Sequence, residues 1–139
     1  MRPISSIDIP SIWSGYAFEN LCFKHIPQIK QALSISGVIT NEYSYNFKGN
    51  AHRKGVQIDL MIERADNCMN LLEVKFYDHE FIVSKSYEQE LREKVAIFKE
   101  QIRTRKSIFV TMLSVFGVKK NAHYVSVVTN QLLIDDLFN

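Results

Sequence analysis

The chain has 139 residues, of which 46% are apolar, and a formal net charge of +2. This length suits one domain over residues 1–139 with a sizeable core, and so small a charge argues against a polybasic, histone-like protein. The sequence has no apolar run of the roughly 18 residues that a membrane-spanning helix needs, and residues 1–6 lack the apolar core of a signal peptide. We therefore expect a cytoplasmic protein without a membrane span.

The first half of the chain predicts helix and then strands. Apolar residues recur every three or four positions over residues 14–32, which is typical of a half-buried helix, and Pro27 predicts that a second helix starts there. A first strand is predicted over residues 38–47. Alternating apolar and polar residues predict two further strands, over residues 56–64 and 70–77, joined by a turn.

The second half predicts a long helix over residues 86–104, with Ser84 or Ser86 as its cap. A nearly apolar segment predicts a buried strand over residues 107–115. Residues 123–128 are expected to form another short strand and residues 131–138 a closing helix. The predicted fold class is therefore α/β, a mixed central sheet flanked by helices in the order αβββαββα.

The two strands on either side of Asp66 carry the informative pattern. If they pair so that facing residue numbers sum to 132, Ile58 faces Val74 and Leu60 faces Leu72, which gathers the apolar side chains on one face. A register shifted by one residue would mix the two faces and lose that burial. The pattern therefore predicts an even sum.

The same register places Asp59 opposite Glu73. Two carboxylates on facing strands repel each other, and without compensation one of them is expected to take up a proton. A divalent cation between them removes the conflict, and Mg²⁺ prefers carboxylate oxygens and water as ligands. Lys75 follows two residues after Glu73 on the same face, so the site would combine a metal with a lysine that offsets charge on a phosphodiester.

Asp59 followed by Glu73-Val74-Lys75 on the next strand resembles the Asp…Glu-X-Lys core of the PD-(D/E)XK, or restriction-endonuclease-like, nuclease superfamily. The resemblance implies a nuclease fold with Asp59 and Glu73 as catalytic ligands of Mg²⁺, for which Mn²⁺ can substitute. It also implies the backbone carbonyl of Val74 as a further ligand, Lys75 as the group that positions water, and Glu19 as an additional metal-directed carboxylate on the first helix.

The resemblance is closer to one subgroup, the C-terminal nuclease-like domain of bacterial and archaeal AAA-type ATPases. Segments 13–20, 57–60 and 72–76 carry it. This implies an ATPase domain as a partner in a longer protein, although no phosphate-binding glycine loop occurs in this chain. A homodimer is left open.

The expected function is Mg²⁺-dependent hydrolysis of DNA phosphodiesters. Substrate contacts are assigned to Gln57, opposite Lys75, and to the basic residues Lys48, Arg53 and Lys54. Each assignment has a simpler alternative: a solvated loop for the basic residues, a water-facing Gln57, a solvent-facing Glu19, or an exposed strand pair for Glu73 and Lys75. The rival function is a catalytically silent module that serves DNA or protein interaction for its ATPase.

Overall fold

The computed structural model of the protein describes residues 20–138, and these contain a five-stranded mixed sheet in the order β1-β2-β3-β4-β5. The first three strands form an antiparallel meander, and β4 and β5 continue the sheet in parallel. The strands are β1 (Thr40–Phe47), β2 (Val56–Arg64), β3 (Cys68–Lys75), β4 (Ser107–Ser114) and β5 (Asn130–Leu133). The α/β fold class with a mixed central sheet is confirmed.

Helices cover both faces of this sheet. Residues 20–24 are helical, followed by α1 (Ile26–Ala32), α2 (Lys85–Ile102), α3 (Ala122–Val127) and a 3-10 helix (Ile134–Phe138). One core joins α1 and the 3-10 helix to one face of the sheet, through buried residues such as Ile29, Leu72 and Leu137. Two further clusters join α2 and α3 to the other face.

Helix α2 connects β3 to β4 and covers the sheet face on which the predicted site lies. The Ser84 hydroxyl caps it by accepting a hydrogen bond from the Tyr87 backbone N–H at 3.1 Å, and Arg103 ends it in a left-handed conformation. Leu91, Ile97 and Phe98 are fully buried. The predicted bounds, 86–104, differ from the observed ones by one residue at the start and two at the end.

The register of the β2–β3 hairpin is confirmed. Leu60 pairs with Leu72 and Met61 with Leu71, so facing residue numbers sum to 132 as the burial pattern predicts. The pairing runs to Glu63 opposite Met69. Both faces of the hairpin are buried, because helices pack on each side, so the alternation reflects two cores rather than one core and solvent.

The middle of β2 contains a bulge, next to the residues that pair with β3. Against β1, Tyr43 pairs with Met61 but Tyr45 pairs with Ile58. One residue of β1 therefore lies opposite two residues of β2 between these pairs. The extra residue lies within positions 59–60. Bulges bend a strand and re-aim its side chains, so the backbone is irregular at the predicted metal ligand.

This bulge changes which face Ile58 occupies. Ile58 packs with Met61 and Phe98 beneath α2, whereas Leu60 and Ile62 pack in the core on the opposite face. The prediction that Ile58 shares a face with Leu60 is therefore wrong. Strict alternation assumes a regular strand, and the extra residue interrupts it.

The predicted element order αβββαββα is also wrong after β4. Residues 123–128 are expected to be a strand, but 123–127 belong to α3 and Val128 follows its end; the expected helix 131–138 is β5 followed by the 3-10 helix. Asn121 caps α3 by accepting from the Tyr124 backbone N–H at 2.8 Å. A hairpin is excluded here because β5 lies parallel to β4, and parallel neighbours need a crossover connection, which is usually a helix.

Over residues 20–138, none of the helices is both long and apolar enough to cross a bilayer.

Candidate functional site

Glu73 is a buried carboxylate near the end of β3, with 6% of the residue exposed. Its Oε1 accepts a hydrogen bond from the Tyr87 hydroxyl at 3.0 Å, and its Oε2 pairs with the Lys94 ammonium at 3.0 Å. Both partners come from α2. A charge held this far from water needs both pairing and hydrogen bonds, and these two side chains supply them.

Tyr87 acts in this contact as a fixed hydrogen-bond donor. Its burial and the neighbouring negative charge of Glu73 raise the pKa of its hydroxyl above the ordinary value of 10.0. The phenol therefore stays protonated at every physiological pH. Because Tyr87 lies in the first turn of α2, the Ser84 cap that starts the helix also positions this donor.

Lys75 lies two residues beyond Glu73 and on the same side of the sheet. Its Nζ is 4.5 Å from the centre of the Tyr87 ring and 5.4 Å from that of Phe81. These are cation–π distances, at which the ring faces attract an ammonium. Glu73 and Lys75 therefore share one face and one neighbour, Tyr87, as the strand alternation predicts.

The Phe81 ring is held by its own backbone. The Phe81 N–H donates to the Gly117 carbonyl at 3.0 Å, and the Phe81 carbonyl accepts from the Lys119 N–H at 2.9 Å. Phe81 also stacks on the half-exposed Tyr77 ring, with centroids 5.3 Å apart. Lys75 thus lies beside an ordered group of aromatic rings.

Asp59 lies in the β2 bulge and is partly buried. The observed pairing of β2 with β3 ends at Leu60 and Leu72, so the predicted Asp59–Glu73 pair lies one residue beyond it, at the bulge. The described contacts of Glu73 are those with α2. Convergence of the Asp59 and Glu73 carboxylates on a common ion stays a prediction, as does the role of the Val74 carbonyl.

Glu19, the predicted fourth acidic residue, lies outside the described residues. Within residues 20–138, no three His, Cys, Asp or Glu side chains are grouped as metal ligands. The predicted ligand set of Asp59, Glu73 and Glu19 has one member beyond that range and stays a prediction.

The basic residues assigned to substrate lie in and beside the β1–β2 loop. Arg53 pairs with Glu100 at 2.7 Å and Lys54 with Glu93 at 2.9 Å, so both bonds tie the loop to α2. Lys48 is exposed at the other end of the loop. All four ion-paired side chains are at least 40% exposed, so these pairs are weak and phosphate could compete for the cations.

Gln57 is exposed on β2, where it pairs with Asn46 of β1. The observed pairing of β2 with β3 ends at Leu60 and Leu72, three residues short of a Gln57–Lys75 pair. A role for Gln57 at the substrate stays a prediction.

Tyr87 and Lys94 are the residues that the sequence analysis missed. The sequence pattern of the helix assigns a functional role to neither residue. They are seven residues apart, which is two helical turns, so they lie on the same face of α2. That spacing, combined with a helix expected to cover the sheet, is the signal that could have identified them.

A second polar cluster joins α2 to α3. Glu88 accepts from Ser126 Oγ at 2.9 Å, lies 2.7 Å from His123 Nδ1 and pairs with Arg92 at 3.1 Å. The bonds to His123, Ser126 and Arg92 lower the pKa of Glu88 to about 2. Although Ser, His and Glu occur together, both the serine and the histidine contact the carboxylate, so the serine–histidine bond of a nucleophilic triad is not formed in this cluster.

Comparisons with protein families and with curated protein sequences find no match. Among solved structures, the chain is similar to one described as a protein of unknown function, AF1548, with a TM-score of 0.51 and 16% identity. The similarity covers 80% of this chain but only 58% of that one, so this chain spans less than two thirds of its neighbour. At this identity the likeness supports the α/β fold alone.

Proposed function

We propose that this chain is a Mg²⁺-dependent nuclease-like domain that hydrolyses DNA phosphodiesters and belongs to the PD-(D/E)XK superfamily. The observation that carries the proposal is a buried carboxylate, Glu73, that shares one strand face and the neighbour Tyr87 with Lys75 beneath α2. A buried charge is costly for stability, and residues that break a stability rule are expected mainly at functional sites.

The residues present suit a hard divalent cation. Asp59, Glu73 and the Val74 carbonyl would offer oxygen atoms, which Mg²⁺ prefers over nitrogen or sulfur. Glu73 already has a cation, the Lys94 ammonium, 3.0 Å from its Oε2, so the site stabilises positive charge at that oxygen. When bound, Mg²⁺ would polarise the phosphodiester and lower the pKa of a coordinated water.

Lys75 would hold its charge near the reacting phosphate and orient water. Its ammonium rests against the Tyr87 and Phe81 rings, which restrict the side chain and lower the cost of positioning it. Arg53 and Lys54 would contact the DNA backbone after exchanging Glu100 and Glu93 for phosphate.

The test is a set of variants assayed on supercoiled, linear and single-stranded DNA with Mg²⁺ and with Mn²⁺. Lys75→Ala is expected to reduce cleavage by on the order of 10²–10³, the usual loss for one positioned charge-stabilising donor. Asp59→Ala and Glu73→Ala are expected to lose both cleavage and metal binding. Lys99→Ala, at an exposed position of α2, is the matched lysine control and should cleave as the unaltered protein does.

A second candidate is a catalytically silent module that serves DNA or protein interaction. The observation that favours it is the Glu73 carboxylate itself, whose two oxygens are engaged by Tyr87 and Lys94. If metal binds but unaltered protein and Lys75→Ala cleave equally, or neither cleaves any substrate, this second function is the correct one.

The resemblance to AAA-type ATPases adds a proposed partner, an ATP-binding domain with which the chain would work on DNA. Adding such a domain, on the same chain or separately, is expected to increase cleavage or DNA binding. Equal cleavage and equal DNA binding with and without it would remove this partner from the proposal.

A further inference from the structure

Lys94 reaches Glu73 from the middle of α2, two turns after Tyr87. Its Nζ lies 3.0 Å from Glu73 Oε2, and the two side chains are 19% and 7% exposed. Glu73 Oε1 is taken by the Tyr87 hydroxyl at 3.0 Å. The two carboxylate oxygens thus have different partners, one a neutral donor and the other a cation.

The Lys94 ammonium and a bound divalent cation would compete for the same atom, Glu73 Oε2. Both are attracted by the full charge of a carboxylate, and both cannot lie close to Oε2, because like charges at contact distance repel strongly where water is scarce. A lysine is suited to such an exchange, since its charge is compact and its four-carbon stem is flexible. The partial exposure of Lys94 leaves its ammonium a route to solvent.

We propose that Lys94 is an internal counter-ion, which neutralises Glu73 in the metal-free protein and leaves Oε2 when a divalent cation binds. This inference rests on the proposed function, because it assumes that Glu73 is a metal ligand. Lys94 would then act as a positioning residue that sets metal affinity, while Tyr87 keeps Oε1 and holds the carboxylate in place.

The proposal accounts for a conflict in the predicted site. Asp59 and Glu73 were expected to repel each other unless a metal lay between them. Lys94 supplies a positive charge to Glu73 without a metal, so the buried carboxylate has a cationic partner in either state. Because Lys94 competes with the metal for Glu73, the metal affinity would be lower than that of the same carboxylates without this lysine.

The experiment measures Mn²⁺ and Mg²⁺ binding by titration calorimetry and the melting temperature in metal-free buffer. Lys94→Met keeps most of the length of the side chain and removes its charge. We expect it to bind metal roughly ten- to a hundredfold more tightly, the range expected for removing one charged hydrogen bond. It should also melt at a lower temperature without metal, and added metal should restore much of the loss.

Two further variants control the result. Lys99→Met removes a lysine from an exposed position of the same helix and should leave metal affinity unchanged. Lys94→Arg keeps the positive charge and should bind metal no more tightly than the unaltered protein. If Lys94→Met does not fold, unchanged or weaker metal affinity in Lys94→Arg supports the proposal, and tighter binding overturns it.

The outcomes separate this inference from the function beneath it. If unaltered protein binds metal, Glu73→Gln abolishes binding and Lys94→Met leaves affinity unchanged, Lys94 is not a competitor, although the metal site stands. If neither the unaltered protein nor Lys94→Met binds metal, both the inference and the metal-dependent function are wrong. Binding only in Lys94→Met would support the counter-ion role and favour the catalytically silent module.

Discussion

Two polar residues of β3 are buried three positions apart, and their surroundings differ in kind. Asn70, 1% exposed, donates to Thr111 Oγ1 at 3.1 Å and accepts from Arg64 at 2.9 Å, and Thr111 in turn donates to Asn130 at 2.6 Å. These partners belong to β2, β4 and β5. The Asn70 network therefore joins four strands of the sheet through side chains that the strands themselves hold in place.

Glu73 is bound instead by two side chains of a helix, Tyr87 and Lys94. It carries a full charge, and its ionic partner has a flexible stem. A neutral, fully bonded group between strands stabilises one arrangement, whereas a charged group beneath a helix can exchange its partner. The contrast separates a structural polar network from a candidate functional one.

The largest effect is expected from Glu73→Ala. It removes the carboxylate and leaves the Lys94 ammonium and the Tyr87 hydroxyl without their partner, which for a broken buried pair costs about 3 kcal/mol of unfolding free energy. Urea denaturation measures the loss. Glu73→Gln keeps the shape and should cost less, so equal destabilisation by the two variants would show that the charge is unimportant.

Asn70→Ala is expected to cost about 1–3 kcal/mol, because Thr111 and Arg64 each lose a buried hydrogen-bond partner. Added Mg²⁺ or Mn²⁺ is expected to raise the melting temperature by binding the folded protein. This rise should be unchanged in Asn70→Ala, whereas Asp59→Asn should abolish it. Loss of the metal response in Asn70→Ala would remove the distinction between the two networks.

Tyr87→Phe gives a smaller change, about 1–2 kcal/mol, since Glu73 loses one donor but keeps Lys94 and the ring beneath Lys75 remains. Lys75→Ala, which loses the cation–π contact instead, should cost about 0.5–1 kcal/mol. Chemical denaturation of both variants tests this order. A larger loss in Lys75→Ala would mean that this lysine stabilises the fold more than its contacts indicate.

The smallest effect concerns Glu88, in the more exposed cluster between α2 and α3. Its pKa is lowered to about 2 in the folded protein, and its ordinary value is 4.5. The contribution to stability is therefore present above about pH 4.5 and is lost as the pH falls towards 2. Glu88→Gln should flatten this part of the stability curve, measured by thermal unfolding from pH 2 to 6, and an unchanged slope would contradict the assignment.

The sequence pattern predicted the β2–β3 register and two helix starts, because interactions between residues close in the sequence determine these features. The β2–β3 register follows from burial on each side of a short turn, and Pro27 and Ser84 mark helix starts through their own backbone and side-chain chemistry. The predicted strand 123–128 and helix 131–138 are wrong, because β5 pairs parallel to β4 and the chain therefore crosses over between them, here through α3.

In the candidate site, too, some features follow from the sequence and others only from the tertiary structure. The sequence alone determined that Glu73 and Lys75 share a strand face, because successive side chains of a strand alternate. Only the tertiary structure decided that Tyr87 and Lys94 meet that face and that a bulge lies at Asp59. Those contacts depend on how α2 docks and how β1 pairs with β2, and such long-range packing is not encoded in the spacing of any one segment.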